Sequence, residues 1–459
     1  MKLRSSVFDI VKNFMSLLNE TFTDHGIRVA YIYLVMSEFD GMISVEALHK
    51  LLFLCMFHDI GAYKTEEIDD LLKFEVSNTL SHSVYGYLFI KHFSPLSDYA
   101  PVILYHHLHY DQRDKCRLKL RNFAMRLNLA DRTDICAVNE NDDRAVISHI
   151  VERSGTTFDP YDVKLLLEAD KKHDVIGALR SGRYVDIVRD YYNNYVYKEE
   201  MLDELIMMLS MTIDFKNEET VAHSIQTSQF AKMLGLCCGI NDREGLDDLY
   251  YAGLLHDMGK IKLPDDLLKN DSLPTEEERA VMRKHAQYTK EIISDIFEGD
   301  IVDIASRHHE APNGLGYPCG LTSADLTLPQ KILPVADITS LLLGGSSIRT
   351  ESMPKDDMRV IMGAMAERGQ LDRKVVETLF DNYDKIRQGA SADTLRVLER
   401  YEAMKREYSV CIRKYSALDN TFYRDNKLFA DFCAISKQEI RRAKPEFECV
   451  KPLCKKNTA

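Results

Sequence analysis

One ordered set of histidines and aspartates occurs twice in this chain of 459 residues. In the first half His25 is followed 33 residues later by His58-Asp59; in the second, His223 is followed 33 residues later by His256-Asp257. A single histidine, an adjacent histidine pair and an aspartate come next in both halves. They are His82, His106-His107 and Asp131 in the first, and His285, His308-His309 and Asp337 in the second. Ten of the 15 histidines occupy these repeated positions, and none follows His309. Loop lengths between them differ while the order holds, which is what a duplicated structural unit predicts.

The apolar pattern repeats with the histidines. Leu48, Leu51, Leu52 and Cys55 lead to His58 at the same offsets as Leu246, Leu249, Tyr250 and Gly253 lead to His256. Tyr99, Val102, Ile103 and His106 are matched by Ile301, Ile304, Ala305 and His308. These are helical spacings that carry polar groups on or at the end of a buried face. A weaker echo pairs Phe158–Pro160 with Leu371–Arg373. The expected fold is all-α, with two tandem helical bundles over residues 1–195 and 196–388 and a helical extension and tail over 389–459. Within that extension, residues 391–415 read as one helix following Gly389, placed to cap a bundle or to mediate a homodimer.

A lone histidine on an apolar helix face is usually a core residue. Five histidines and two aspartates repeated in order are not, because burying so many without a ligand leaves costly unsatisfied groups. Metal coordination satisfies them together. Two metals a few ångströms apart can clamp both oxygens of an in-line displacement at phosphorus and ionise water at neutral pH. Adjacent residues on a helix project about 100° apart, so His256 and Asp257 together can reach around a paired centre. Nitrogen and oxygen donors without cysteine favour iron, manganese or another transition metal over magnesium or structural zinc.

Charge and composition narrow the partners. Lys plus Arg is 59 and Asp plus Glu is 72, a formal net charge of −13. That balance argues against polynucleotide and anionic-membrane binding. The apolar run Leu51–Phe57 falls well short of the roughly 18 residues a membrane span needs. The amino end lacks the pattern of an export signal and the ten cysteines form no small-scaffold framework, so the expected setting is the cytoplasm with reduced thiols.

The stretches LLHDMGKIKLP at Leu254–Pro264 and RHHEAPNGLGYP at Arg307–Pro318 resemble the HD-GYP family of phosphodiesterases, a branch of the HD-domain metal-dependent phosphohydrolases. The likeness runs from about Asp214 to Phe380. The resemblance implies a helical bundle around two or three divalent metals and hydrolysis of 3′–5′ cyclic dinucleotides, cyclic di-GMP or 3′,3′-cyclic GMP-AMP, by a metal-activated hydroxide. It assigns His223, His256, Asp257, His285, His308, His309 and Asp337 as metal ligands, with Asp257 bridging and Glu219 helping to hold a third metal. Lys260 matches the lysine that contacts the scissile phosphate. Gly314, Gly316, Tyr317 and Pro318 match the loop over the site, and Arg349 stands where a basic phosphate-binding residue is common. Asn313 replaces a frequent aspartate. An HD phosphohydrolase of a mononucleotide or other phosphoester, and a catalytically silent cyclic-dinucleotide sensor or scaffold, are the alternatives.

The first half keeps a formal ligand set in His25, His58, Asp59, His82, His106, His107 and Asp131. It departs elsewhere: Thr21 stands at the glutamate position, Ala62 replaces the lysine with Lys64 two residues on, and LHYDQRDK follows His107 in place of the GYP loop. The expectation is a domain that binds metal, has lost or altered catalysis and packs on the catalytic half as a structural and regulatory partner, with an independently active second site as the alternative.

Overall fold

The computed structural model describes residues 3–65, 80–115, 119–214, 218–268, 274–343 and 353–415. Among these, every regular element is a helix and β-structure is limited to isolated bridges. By chain packing they divide into two units, one of Leu18–Leu205 with the chain from Glu402, the other of Met1–Leu17 with Ile206–Tyr401.

The amino-terminal helix α1 (Val7–Leu18) buries Phe8, Ile10, Val11 and Phe14. The segment ahead of it is tied to the second bundle: Leu3 bridges Phe297, and the Arg4 amide donates to the Ile296 carbonyl at 2.9 Å. This differs from a division after residue 195, because an apolar helix face is buried wherever the matching groove lies, not where the chain is nearest.

The first bundle is built on α2 (Glu20–Ser37), α3 (Val45–Phe57), α4 (Leu80–Phe93), α5 (Ala100–Leu104) and α6 (Arg121–Asn139). Asn19 and Ser44 start α2 and α3 by accepting from the Phe22 and Ala47 amides, at 3.0 and 3.1 Å. Helix α2 is buried almost all round, packed between α3 and α6.

The second bundle repeats this plan. Helices α7 (Glu218–Cys237), α8 (Arg243–Leu255), α9 (Lys284–Ser294), α10 (Asp300–Ser306) and α11 (Leu328–Leu342) follow in the same order, α7 packed between α8 and α11. The weak echo near the end of each repeat is a helix start. Phe158 and Leu371 are buried, while Asp159 and Asp372 cap the helices that follow.

The last helix, α12, runs from Tyr383 to Tyr415 without a break at Gly389. A Cβ on Gly389 would lie 2.5 Å from the Met233 methyl carbon, so this glycine lets two helices approach and does not end one. Cys449 and Cys454 lie outside the described residues.

Two glycines fix where the functional turns sit. A Cβ on Gly61 would meet the His82 carbonyl at 2.0 Å, and one on Gly259 the His285 carbonyl at 2.0 Å. In each bundle this close approach seats the turn after the His-Asp pair against the helix bearing the next histidine. Gly259→Ala is expected to destabilise the second bundle by about 1–3 kcal/mol through overpacking. Gly363→Ala, in a helix with open space around it, is expected to be neutral or slightly stabilising. Thermal unfolding of the two variants side by side checks this.

One histidine outside the repeated set shows the contrast. His49 is fully buried on α3 and stacked on Tyr195 at 3.6 Å, with Tyr191, Tyr192, Tyr197 and Phe53 around it. Burial, then nearby Lys50, lowers its pKa to about 4. The unfolded ring therefore takes a proton first as pH falls. Stability is full above about pH 6.5 and drops by up to about 1.4 kcal/mol per pH unit between there and pH 4. His49→Phe is expected to remove this part of the acid sensitivity, measured as the pH dependence of the unfolding midpoint.

Candidate functional site

The second bundle brings its seven sequence-marked ligand candidates to one buried place. His223 projects from the second turn of α7 and Asp337 from α11, while His256, Asp257, His308 and His309 sit just beyond the ends of α8 and α10. His285 opens α9. Helix α8 ends at Leu255, and Asp257 has φ −95° and ψ 4°, so a turn and not continued helix sets its direction.

Backbone carbonyls aim three of these rings. His256 Nδ1 donates to the Gly253 carbonyl at 2.8 Å, His285 Nδ1 to Met282 at 2.6 Å and His308 Nδ1 to Ala305 at 2.6 Å. A carbonyl only accepts, so each Nδ1 carries hydrogen and each Nε2 points inward. The Nε2 atoms of His285 and His308 stand 3.2 Å apart, and those of His223 and His256 stand 3.3 Å apart. Burial lowers the pKa of His285, and burial with neighbouring His309 and His256 holds His308 well below its usual value. His285 and His308 thus face each other with bare lone pairs, an arrangement that a shared cation relieves.

Asp257 lies between the two pairs. Its Oδ2 is 3.3 Å from His256 Nε2 and 3.8 Å from His223 Nε2, and its Oδ1 is 3.5 Å from His285 Nε2 and 3.9 Å from His308 Nε2. Asp337 Oδ1 is 3.1 Å from His223 Nε2. His309 joins His285 and His308 as a donor group within 4.8 Å. Burial opposes ionisation of Asp257, but His256 and Lys260 override it and hold the carboxyl well below its usual range. Burial likewise opposes charge on His256, yet Asp257 and Asp337 push it up to about 9. The carboxylates stabilise positive charge on His256, while His285 and His308 are held neutral.

Lys260 Nζ donates to Asp257 Oδ2 at 2.6 Å and remains partly exposed. The side chain of Glu219 and all of Arg349 lie outside the described residues, as does the side chain of Lys64 in the first half.

The first bundle repeats the arrangement around its aspartate. Asp59 Oδ2 is 3.1 Å from His58 Nε2, while Oδ1 is 3.3 Å from His106 Nε2 and 3.6 Å from His82 Nε2. His58 and His106 donate from Nδ1 to the Cys55 and Ile103 carbonyls. His25 Nε2 lies 3.3 Å from Asp131 Oδ1, and His107 groups with Asp59, His82 and His106. His58 Nε2, His106 Nε2, Asp59 Oδ1 and Asp131 Oδ1 are buried without a hydrogen bond. Four inward-facing donors that make no hydrogen bond, crowded against one another, fit a cation here too. Ala62 is buried where the second bundle has Lys260, and Arg132 pairs with Asp131 Oδ2 at 2.8 Å.

The GYP loop closes over the second centre. Tyr317 tilts over the His309 ring at 4.6 Å, and its amide donates to the His309 carbonyl at 3.0 Å. Gly314 has φ 75°, and a Cβ on Gly316 would meet the Ala311 nitrogen at 2.3 Å, so both positions require glycine. A cis peptide joins Tyr317 to Pro318. Asn313 anchors the loop by accepting from the Leu315 amide and donating to the Arg368 carbonyl. Two residues here escape sequence reasoning. Buried Glu310 accepts from the Cys319 and Leu321 amides at 2.6 and 2.8 Å, clasping the loop, and exposed Arg283 lies 5.7 Å from the Tyr317 ring. The only sequence trace of Glu310 is its place after the histidine pair.

Two helical bundles, each gathering an ordered His/Asp set at one buried point, define tandem domains of the HD type. Family models described as the HD domain match residues 207–375 and residues 22–138. The chain is a tandem HD-domain protein whose second domain carries the HD-GYP motifs. It is similar to the 3′3′-cGAMP-specific phosphodiesterase 1 of Vibrio cholerae, 26% identical over 390 residues, or 81% of this chain and 90% of that protein. It is also similar to the cyclic di-GMP phosphodiesterase response regulator RpfG of Xanthomonas campestris, 31% identical over 196 residues. That match covers 41% of this chain and 50% of RpfG. The crystal structure of the V. cholerae cyclic GMP-AMP-specific phosphodiesterase V-cGAP3 aligns with a TM-score of 0.47 at 19% identity, over 82% of this chain and 97% of that one. No helix among the described residues is long and apolar enough to cross a membrane.

Removing the clasp should loosen the loop without touching the donor set. Glu310→Ala is expected to speed hydrogen exchange at the Cys319 and Leu321 amides by at least about tenfold, the effect of losing charge-assisted bonds worth about 1.5–3 kcal/mol each. Amide exchange read by mass spectrometry checks this, with α7 peptides unchanged.

Proposed function

We propose that the second bundle hydrolyses a 3′–5′ cyclic dinucleotide, 3′3′-cGAMP or cyclic di-GMP, to a linear dinucleotide. The observation that carries this reading is Asp257, whose two oxygens each face a different pair of inward-pointing imidazoles. The residues that would hold the metals are His223, His256, Asp337, His285, His308 and His309, with Asp257 serving both sides and Glu219 assigned to a third ion. Iron or manganese suits these donors. Bound there, such ions supply Lewis acidity and lower the pKa of water toward neutrality.

The chain's own groups do the rest. Lys260, next to Asp257 and partly exposed, offers a cation to the phosphate oxygens as charge develops on them. Tyr317 presents an aromatic face on which a base can stack, and burial raises its hydroxyl pKa so that it stays neutral. Exposed Arg283 beside that ring adds positive charge at the mouth, which matters for a dianionic ligand of an acidic protein. The curated relatives named as 3′3′-cGAMP and cyclic di-GMP phosphodiesterases support the substrate class.

The first bundle has the donor set without the lysine, and a phosphate there meets Ala62. We assign it a metal-holding, regulatory part. Chromatography of products from a cyclic-dinucleotide panel, with iron and manganese each supplied, tests the reading; mononucleotides run beside them identify the competing activity. Asp257→Asn is expected to abolish turnover and Lys260→Ala to lower kcat by about 10²–10³-fold, the scale of a lost charge-stabilising donor. Asp59→Asn is expected to leave most turnover, and equal losses for Asp59→Asn and Asp257→Asn would overturn the division of labour.

A further inference from the structure

The first histidine of each set is held from behind, and the two bundles do this with different chemistry. His25 Nδ1 donates to Asp134 Oδ2 at 2.7 Å, and Arg28 Nε donates to Asp134 Oδ1 at 2.6 Å. His25 and Asp134 are buried and the Arg28 side chain is 16% exposed. In the second bundle the same places are taken by neutral groups. His223 Nδ1 donates to Ser340 Oγ at 3.1 Å, and Ser340 Oγ donates to Gln226 Oε1 at 3.0 Å. The positions correspond through the repeat. Arg28 and Gln226 each lie three residues after the histidine, and Asp134 and Ser340 each lie three residues after the last aspartate of the set.

From this pairing we infer that the first bundle binds its metal more tightly than the second, the charged Asp134–Arg28 pair making His25 the stronger ligand. The inference rests on the reading of both clusters as metal sites. A carboxylate accepting from Nδ1–H shifts electron density onto the ring and strengthens Nε2 as a donor; a hydroxyl does so far less. Arg28 holds that carboxylate in place. Both relays meet Nδ1 and leave Nε2 facing inward, so the difference between them lies in ligand strength, not in orientation.

The carboxylates that face the imidazoles are also contested differently. In the second bundle Lys260 contacts Oδ2 of Asp257, the residue both metal positions would share. In the first, Arg132 contacts Oδ2 of Asp131 and leaves Oδ1, the oxygen facing His25 and His58, without a hydrogen bond. The first bundle is thus the retaining site and the second the exchanging one.

The test uses full-length protein loaded with manganese and titrated with a chelator. Retained manganese is read by elemental analysis and by electron paramagnetic resonance. Two release steps are expected, the tighter lost in Asp59→Asn and the weaker in Asp257→Asn. Exchanging the pairs is the decisive arm. Arg28→Gln with Asp134→Ser should weaken the tight step by about 10–100-fold, the usual cost of losing an outer-shell partner. Gln226→Arg with Ser340→Asp should strengthen the weak step. Asp134→Glu should keep the tight step. An unchanged tight step in the first double variant, or a tight step that disappears in Asp257→Asn, overturns the inference. If the first double variant unfolds, by helicity and thermal midpoint, the reciprocal variant decides: no gain in its weak step overturns the inference. Manganese content unaltered by both Asp59→Asn and Asp257→Asn would overturn the metal-site reading itself.

Discussion

A hydrogen bond from imidazole Nδ1 to the carbonyl three residues earlier sets up both centres. It recurs at His58, His106, His256, His285 and His308. The carbonyls at a helix end have no intrahelical partner, so a histidine just past that end satisfies one and is locked in the same act. Its second nitrogen then has one direction left, toward the bundle axis. The placement of metal-type donors is therefore a by-product of how short helices stop.

The remaining geometry follows from what each bundle allows to come close. Glycine after the His-Asp pair lets two backbones nearly touch, which carries the turn containing Asp59 or Asp257 onto the next histidine-bearing helix. The aspartate then divides its oxygens between two imidazole pairs. With this frame held constant, the two copies have diverged around it. The second has Lys260 and the tyrosine loop at the opening, whereas the first has charged supports at Asp134 and Arg132.

Much of this was legible in the sequence because it is periodic or ordered. The repeated spacing into His58 and His256 gave the helices, and the ordered set gave residues that do converge. The loop at Gly314–Pro318 was recognisable from its composition and its place after His308-His309. What the sequence hid depends on contacts between distant segments. Asp134 reads as an ordinary helical acid until His25 is seen against it, 109 residues away. Glu310 gives no sign that its partners are two amides of the following loop. Local rules mislead in two places: helix geometry does not extend past Leu255 to Asp257, where the backbone turns, and Gly389 is a point of close packing inside a helix, not a boundary.

The grouping of the amino-terminal segment with residues Ile206–Tyr401 has a practical corollary for dissection of the polypeptide. Excising 196–388 as an autonomous fragment would strip away the Leu3–Phe297 bridge and the Arg4 bond to Ile296. Such a truncation removes part of the fold it is meant to isolate. A circular permutant that joins the opening segment to that portion would respect the packing, and insolubility of the simple excision would say nothing about catalysis.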